Sequence, residues 1–245
     1  MALFTLFLSE FLGTAALTLL GCGSVATNLL TGSKGRGSGW VLITLGWGLA
    51  VFVGVYVAFP TGGHLNPAVT VGLALAGRDL APGVPATAAT VAIYLVGQLV
   101  GAFVGAVGCW LAYHDHFARH EDAGEIIGIF CTGPAIRSYG WNVVTEFIGT
   151  FVLVGWVLVA GQTPSQLGPL AVASVVVVIG MALGGPTGYA INPARDLGPR
   201  LAHAILPIPA KGGNDWAYSW VPIVGPLLGG AAAGLLAPLI PVLPV

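Results

Sequence analysis

Two short stretches of this 245-residue chain could build one site together. Asn66-Pro67-Ala68 and Asn192-Pro193-Ala194 each open a short apolar run, Asn66 to Ala76 and Asn192 to Ile205. Asparagine is a good N-cap and proline is favoured at the first helical position, so each triplet starts a helix. Capping alone accounts for one such triplet. Two of them in matching segments set two positive helix ends against each other. Asn66 and Asn192 can each cap and still offer an amide N–H. A neutral solute with a lone pair is welcome between such ends, whereas a cation or a hydronium meets positive dipoles and loses its hydration. The segments ahead of each triplet, Gly62-Gly63-His64-Leu65 and Gly188-Tyr189-Ala190-Ile191, must be irregular, and their carbonyls would form a ladder of acceptors for water or hydroxyl groups.

Glu10 and Glu146 lie inside apolar runs, where a carboxylate is expensive. A proton relay is one reading. The better one is support: each accepts backbone N–H groups from the irregular loop of its own half. His64 reads as a residue that lines a pore and fixes a loop. His114, His116 and His120, with the acids around them, could bind metal or sense pH, but a solvated loop explains them more simply, and no metal site is expected. Cys22, Cys109 and Cys131 show no CxxC spacing and no pairing pattern.

The elements that must hold these residues are set by composition. Hydrophobic residues make up 56% of the chain and charged ones 7%, against roughly 25% charged in soluble domains. The mean hydropathy is +0.91. So few charges cannot cover a surface in water, so the surrounding solvent is lipid. The formal net charge of −1 gives no polybasic surface for nucleic acid. Six long apolar runs appear: Leu3 to Thr27, Trp40 to Phe59, Val84 to Tyr113, Trp141 to Ala160, Pro169 to Gly184 and Ser219 to Ile240. The first reads as a retained span, not a cleaved leader. Only helices or closed barrels satisfy their backbone in lipid, and these runs do not alternate as barrel strands would. The two runs behind the Asn-Pro-Ala triplets reach about half-way across a bilayer, which suggests re-entrant half-helices. Gly97, Gly101 and Gly105, and again Gly225, Gly229, Gly230 and Gly234, suit close helix packing.

The chain also repeats itself. The stretch Ser9 to Thr14 resembles Thr145 to Thr150, 136 positions on, and His64 to Val69 resembles Ala190 to Arg195, 126 positions on. Each half reads span, span, half-helix, span. Three spans per half is odd, so the second copy enters from the opposite side. In such inverted repeats the discontinuous helices meet near the midplane, where the transport site lies. The expected fold is an all-α membrane protein with six transmembrane helices and two re-entrant half-helices. It forms a single channel domain over residues 1–245, with one repeat at about 1–113, the other at about 141–245 and a connecting loop at about 114–140. The spans hold no Ser/His/Asp order, metal-spaced ligands or phosphate loop, so no enzyme and no cofactor is expected. Apart from Glu10 and Glu146 they hold no midplane acids for a coupled transporter.

The paired triplets, the duplicated Glu-Phe-(Leu/Ile)-Gly-Thr and the six-plus-two hydropathy pattern resemble the aquaporin, or major intrinsic protein, family over nearly the whole chain. The resemblance implies a homotetramer in a lipid bilayer, one pore per subunit, in the plasma membrane with cytoplasmic termini. That orientation puts Lys34, Arg36, Arg119, Arg137 and Lys211 outside and mainly Arg78 inside, against the positive-inside tendency, which has little power with eight basic residues. The positions matching the family's constriction are Trp47, Gly180, Tyr189 and Arg195. With Asp196 and Arg200 after the second triplet, and Pro222-Ile223 in the last span, they resemble the glycerol-facilitator branch, although the best-known members carry Phe where this chain has Tyr189. Asp196 joins Glu10 and Glu146 as loop support. The branch implies a passive channel for glycerol and small uncharged solutes, with some water, excluding ions and protons. The alternative is a water channel, or a pore for neutral small organic acids such as lactic acid. Tyr189 also stands where some relatives carry a mercury-sensitive cysteine, so weak mercury inhibition is expected.

Overall fold

In a computed structural model the chain is described over residues 1–160 and 167–239. The first half contains α1 (Leu3–Leu29), α2 (Trp40–Val57), a 3-10 turn at Phe59–Thr61, α3 (Pro67–Leu75) and α4 (Ala88–Ala112). The connecting segment holds α5 (His114–Arg119) and α6 (Ala123–Phe130). The second half contains α7 (Tyr139–Ala160), α8 (Pro169–Leu183), α9 (Pro193–Ile205) and α10 (Val221–Leu236). Five of these, α1, α2, α4, α7 and α10 with its 3-10 extension to Leu239, are long and apolar enough to cross a membrane. The sixth crossing helix, α8, has 15 residues, about 22 Å at 1.5 Å per residue. The half-helices α3 and α9 are shorter still, with 9 and 13 residues.

The contacts repeat with the sequence. Helix α1 packs on α4 as α7 packs on α10, and α4 packs on α9 as α10 packs on α3. Helices α2 and α8, equivalent in the two halves, pack on each other. This is the pattern of an inverted repeat, with each half-helix held by the last helix of the other half. The spaced glycines make these contacts close. A Cβ at Gly97, Gly101 or Gly105 would collide with the carbonyls of Phe7, Phe11 and Ala15 on successive turns of α1. At Gly230 and Gly234 it would strike the Ala68 and Gly72 carbonyls of α3.

The structure moves the start of the third span. The third span begins at Ala88, not near Val84, because Thr87 and Thr90 form a capping box there and Val84 is taken up in a bridge with Ala81. The sixth expected span ended at Ile240, which lies outside the described residues.

The connecting segment corrects the solvated-loop reading. His114 and Asp115 are exposed, but Phe117, Ile126, Ile129 and Phe130 are fully buried, and α6 packs on α1 and α9. Ile126, Ile129 and Phe130 follow helical spacing and make one apolar face. Asp122 caps α6 by accepting the N–H groups of Gly124 and Glu125. Those bonds hold its carboxyl below the usual range. His120 is also buried; its Nδ1 accepts the Thr31 N–H at 3.2 Å and its Nε2 lies 3.1 Å from a Glu125 oxygen.

Candidate solute pore

The two Asn-Pro-Ala triplets meet. The Asn66 side chain accepts the Ala68 N–H at 2.9 Å, and that of Asn192 accepts the N–H groups of Ala194 and Arg195 at 3.0 and 3.1 Å. Pro67 and Pro193 occupy the first helical positions. Each asparagine then reaches across the repeat. Asn66 Nδ2 donates to the Ile191 carbonyl and Asn192 Nδ2 to the Leu65 carbonyl, both at 2.8 Å. An amide nitrogen carries two N–H groups and a carbonyl oxygen two lone pairs. One N–H on each asparagine, and one lone pair on each carbonyl, therefore remain for a solute.

The loops ahead of the triplets match position by position. Gly62, Gly63 and Leu65 have φ of 80°, 59° and 55°, and their equivalents Gly188, Tyr189 and Ile191 have 78°, 41° and 43°. Left-handed backbone disfavours residues with a Cβ, and Leu65, Tyr189 and Ile191 hold it against a cost of order 1–2 kcal/mol each. Buried carboxylates pin these loops. Glu10 accepts from the N–H groups of His64 and Leu65 at 3.1 and 2.9 Å, from the Thr61 hydroxyl and from the Gln98 amide. Glu146 accepts from the N–H groups of Ala190 and Ile191 at 3.0 and 2.7 Å and from the Thr187 hydroxyl.

Where the halves differ, other groups take over. His64 lies 2.7 Å from the Leu80 carbonyl through Nε2 and 3.0 Å from the Thr70 hydroxyl through Nδ1. Since a carbonyl only accepts, the proton sits on Nε2. In the second half Ala190 and Asp196 stand at these positions. Asp196 accepts from the Thr132 N–H and hydroxyl, each at 2.7 Å, and from Arg200 Nε at 3.0 Å. Arg200 in turn donates to the carbonyls of Thr132, Asn214 and Asp215. The second loop is thereby tied to the connecting segment. The sequence reading did not assign Thr132 or Gln98 to the site. The signal for Thr61 and Thr187 was present, because they sit 126 positions apart like the triplets.

A cavity of about 1000 Å³ runs from Arg78 and Asp79, past Asn66 and Asn192, to Trp47, Tyr189 and Arg195. Gly62, Gly63, His64, Leu65, Ala190 and Ile191 are on its wall. At its far end the Arg195 guanidinium lies over the Trp47 ring, 4.0 Å from the centroid, a favourable cation–π geometry. The Tyr189 ring tip rests on Gly180, where a Cβ would stand 2.7 Å from Tyr189 Cζ and 2.9 Å from Thr44 Cγ2. Trp40 meets Tyr189 edge-on at 5.8 Å and donates Nε1–H to the Gly180 carbonyl. Trp47, Gly180, Tyr189 and Arg195 are thus brought together, and Gly188 packs beside Thr132. Cys22, Cys109 and Cys131 are free thiols and buried.

This end of the cavity supplies fixed donors beside aromatic rings. The middle supplies paired amide donors and carbonyl acceptors between two helix N-termini. Such a path can exchange hydrogen bonds with a neutral solute and is hostile to cations.

The sequence profile described as major intrinsic protein matches residues 1–237. Glycerol uptake facilitator protein 3 of Lactiplantibacillus plantarum is 53% identical over 237 residues, covering 96% of each chain. The glycerol uptake facilitator protein of Bacillus subtilis is 46% identical over 234 residues, covering 94% of this chain and 83% of that one. The X-ray structure of the aquaglyceroporin from Plasmodium falciparum superposes with a TM-score of 0.79 at 32% identity, covering 96% of this chain and 95% of that one.

Proposed function

Because the chain belongs to the major intrinsic protein family, we propose that it is a passive membrane channel for glycerol and similar small uncharged solutes, with some water. It is an integral membrane protein and not an enzyme. The observation that carries the glycerol reading is the constriction: Gly180 has no side chain, so the Tyr189 ring packs against it, and Trp47, Tyr189 and Arg195 line the cavity together, with the Arg195 guanidinium stacked on the Trp47 ring. A polyol can turn its hydroxyls to Arg195 and its C–H groups to the rings. The Arg195 guanidinium repels cations.

In this reading Trp47, Gly180, Tyr189 and Arg195 select the solute. Asn66 and Asn192 pass it across the midplane, and Glu10, Glu146 and Asp196 keep the loops in place. Residues 1–245 act as one channel domain. The subunit works as a homotetramer in the plasma membrane with cytoplasmic termini. Exposed apolar side chains such as Leu45, Leu49 and Val53 on α2, and Val144, Ile148 and Val152 on α7, suit contact with lipid or a neighbouring subunit.

Stopped-flow light scattering on proteoliposomes tests the reading. Vesicles shocked with glycerol should shrink and then re-swell well ahead of empty liposomes, while vesicles shocked with sucrose should shrink and stay shrunken. Fast water flow without glycerol entry would instead assign a water channel. Tyr189, packed on Gly180, would then close the slot that the glycine opens.

A further inference from the structure

The stretch between α6 and α7, residues 131–138, has no regular structure, yet it is bonded to the second half of the site along its length. At one end Thr132 donates its N–H and hydroxyl to Asp196, and its carbonyl accepts from Arg200 Nη2 at 2.9 Å. In the middle the Ala135 N–H donates to the carbonyl of Pro186, just ahead of the second loop, at 3.0 Å. At the other end Arg137 holds the Asp215 carboxylate with both terminal nitrogens, at 3.1 and 2.6 Å. Arg137 is a fixed post. The buried Asn142 side chain donates to the Ile136 carbonyl and accepts the Ser138 N–H, and the guanidinium lies over the rings of Tyr139 and Tyr218.

Asp215 belongs to the segment between α9 and α10. Its carbonyl and that of Asn214 accept from Arg200 Nη1 at 3.1 and 2.8 Å, and Arg200 Nε returns to Asp196 at 3.0 Å. The bonds close a ring that runs from Asp196 through Thr132, Arg137, Asp215 and Arg200 back to Asp196. Asp196 directly follows Arg195 on α9. Asp196, Arg200 and Thr132 are buried, whereas the Arg137 and Asp215 side chains are 43% and 28% exposed. Cutting a buried link would strand a buried charge or polar group. Cutting the exposed pair strands nothing, so its effect reports on position alone.

We propose that Arg137 and Asp215 are positioning residues for the channel: their ion pair clasps the α9–α10 segment to the connecting segment and limits how far Arg200, Asp196 and the neighbouring Arg195 can move. Neither Arg137 nor Asp215 lines the cavity, so the pair acts on its width and not by touching solute. Such a clasp discriminates by size. When it is open, the start of α9 samples wider positions, and a solute that fits poorly gains more than one that fits easily. This proposal rests on the polyol-channel reading and extends it to residues outside the pore.

The test compares erythritol with glycerol, which is one carbon shorter, in proteoliposomes carrying wild type, Arg137→Gln, Asp215→Asn or both substitutions. Asparagine keeps the backbone carbonyl that Arg200 uses and tolerates the φ of 45° found at Asp215. The erythritol-to-glycerol permeability ratio should rise about threefold in each single variant, the scale of a well-formed exposed pair. The double variant should match the singles, because all three remove the same bond. Arg137→Lys keeps the charge and loses the fork, so its ratio should lie between those of wild type and Arg137→Gln. A merely structural role would lower the number of working channels and scale both fluxes together. An unmoved ratio, or single effects that multiply in the double variant, would therefore overturn the proposal while leaving the polyol channel standing. If no variant inserts, wild type decides: raising the salt from about 0.01 to about 1 M shortens the screening length roughly tenfold, and a ratio that does not rise would overturn the clasp. Neither solute passing wild type faster than empty liposomes would remove the polyol reading and this proposal together.

Discussion

At Gly180 a methyl group has no room. A Cβ there would come within 3 Å of both Tyr189 and Thr44, and Thr44 is fully buried, so the displaced atoms must move toward the lumen. Gly180→Ala should therefore narrow the constriction more than it destabilises the helix, since alanine is the better helix former. The expected outcome is glycerol permeability at least tenfold lower with water permeability within about twofold of wild type, both read by stopped-flow scattering. Equal loss of both fluxes would mean that the residue supports the fold and does not set the bore. The identity of this residue was legible in sequence only through the family register, because a glycine in an apolar run carries no signal of its own. Arg195 and the two asparagines carried more, for a charge or an amide in lipid needs a reason.

Between elements, the fit depends on which glycines face a neighbour. Gly105 lies where α4 crosses α1, and a Cβ would collide with the Ala15 carbonyl and the Thr18 hydroxyl. Gly155 on α7 has nothing within 4 Å of that position. Gly105→Ala should cost about 1–3 kcal/mol through overpacking, and Gly155→Ala should be neutral or slightly stabilising. Thermal unfolding in detergent measures both, and an equal shift for the two would refute the assigned helix contact. The spacing of Gly97, Gly101 and Gly105 indicated close helix packing in advance, because a four-residue repeat stays on one helix face, but not that α1 is the partner. The spans were legible as long local apolar runs, and the half-helices by their Asn-Pro start signals. The connecting segment was not. Its exposed His114 and Asp115 dominate the composition, and the buried face of Phe117, Ile126, Ile129 and Phe130 becomes apparent only against α1 and α9. Thr132 and Gln98 were missed because their partners, Asp196 and Glu10, are 64 and 88 positions away.

For the whole molecule, the pseudo-twofold relation makes a prediction that no single residue does. Asn66 and Asn192 each cap one half-helix and donate across to the other half at the same 2.8 Å. Aspartate is an equally good N-cap, so Asn66→Asp and Asn192→Asp should keep α3 and α9 intact. What each loses is the donor. A carboxylate oxygen would face the Ile191 or Leu65 carbonyl, leaving acceptor against acceptor at about 1–3 kcal/mol. It would also place an anion between two positive helix ends that otherwise oppose cations. Both variants should therefore unfold earlier by similar amounts and lose glycerol flux by similar factors. Both should also admit a cation leak, read as dye-reported acidification driven by a potassium diffusion potential. If the two halves share the load as the geometry implies, the two substitutions are near-equivalent. A wild-type phenotype for one beside a crippled phenotype for the other would mean that a single half carries the midplane barrier, and that the symmetry of the bonds is not a symmetry of function.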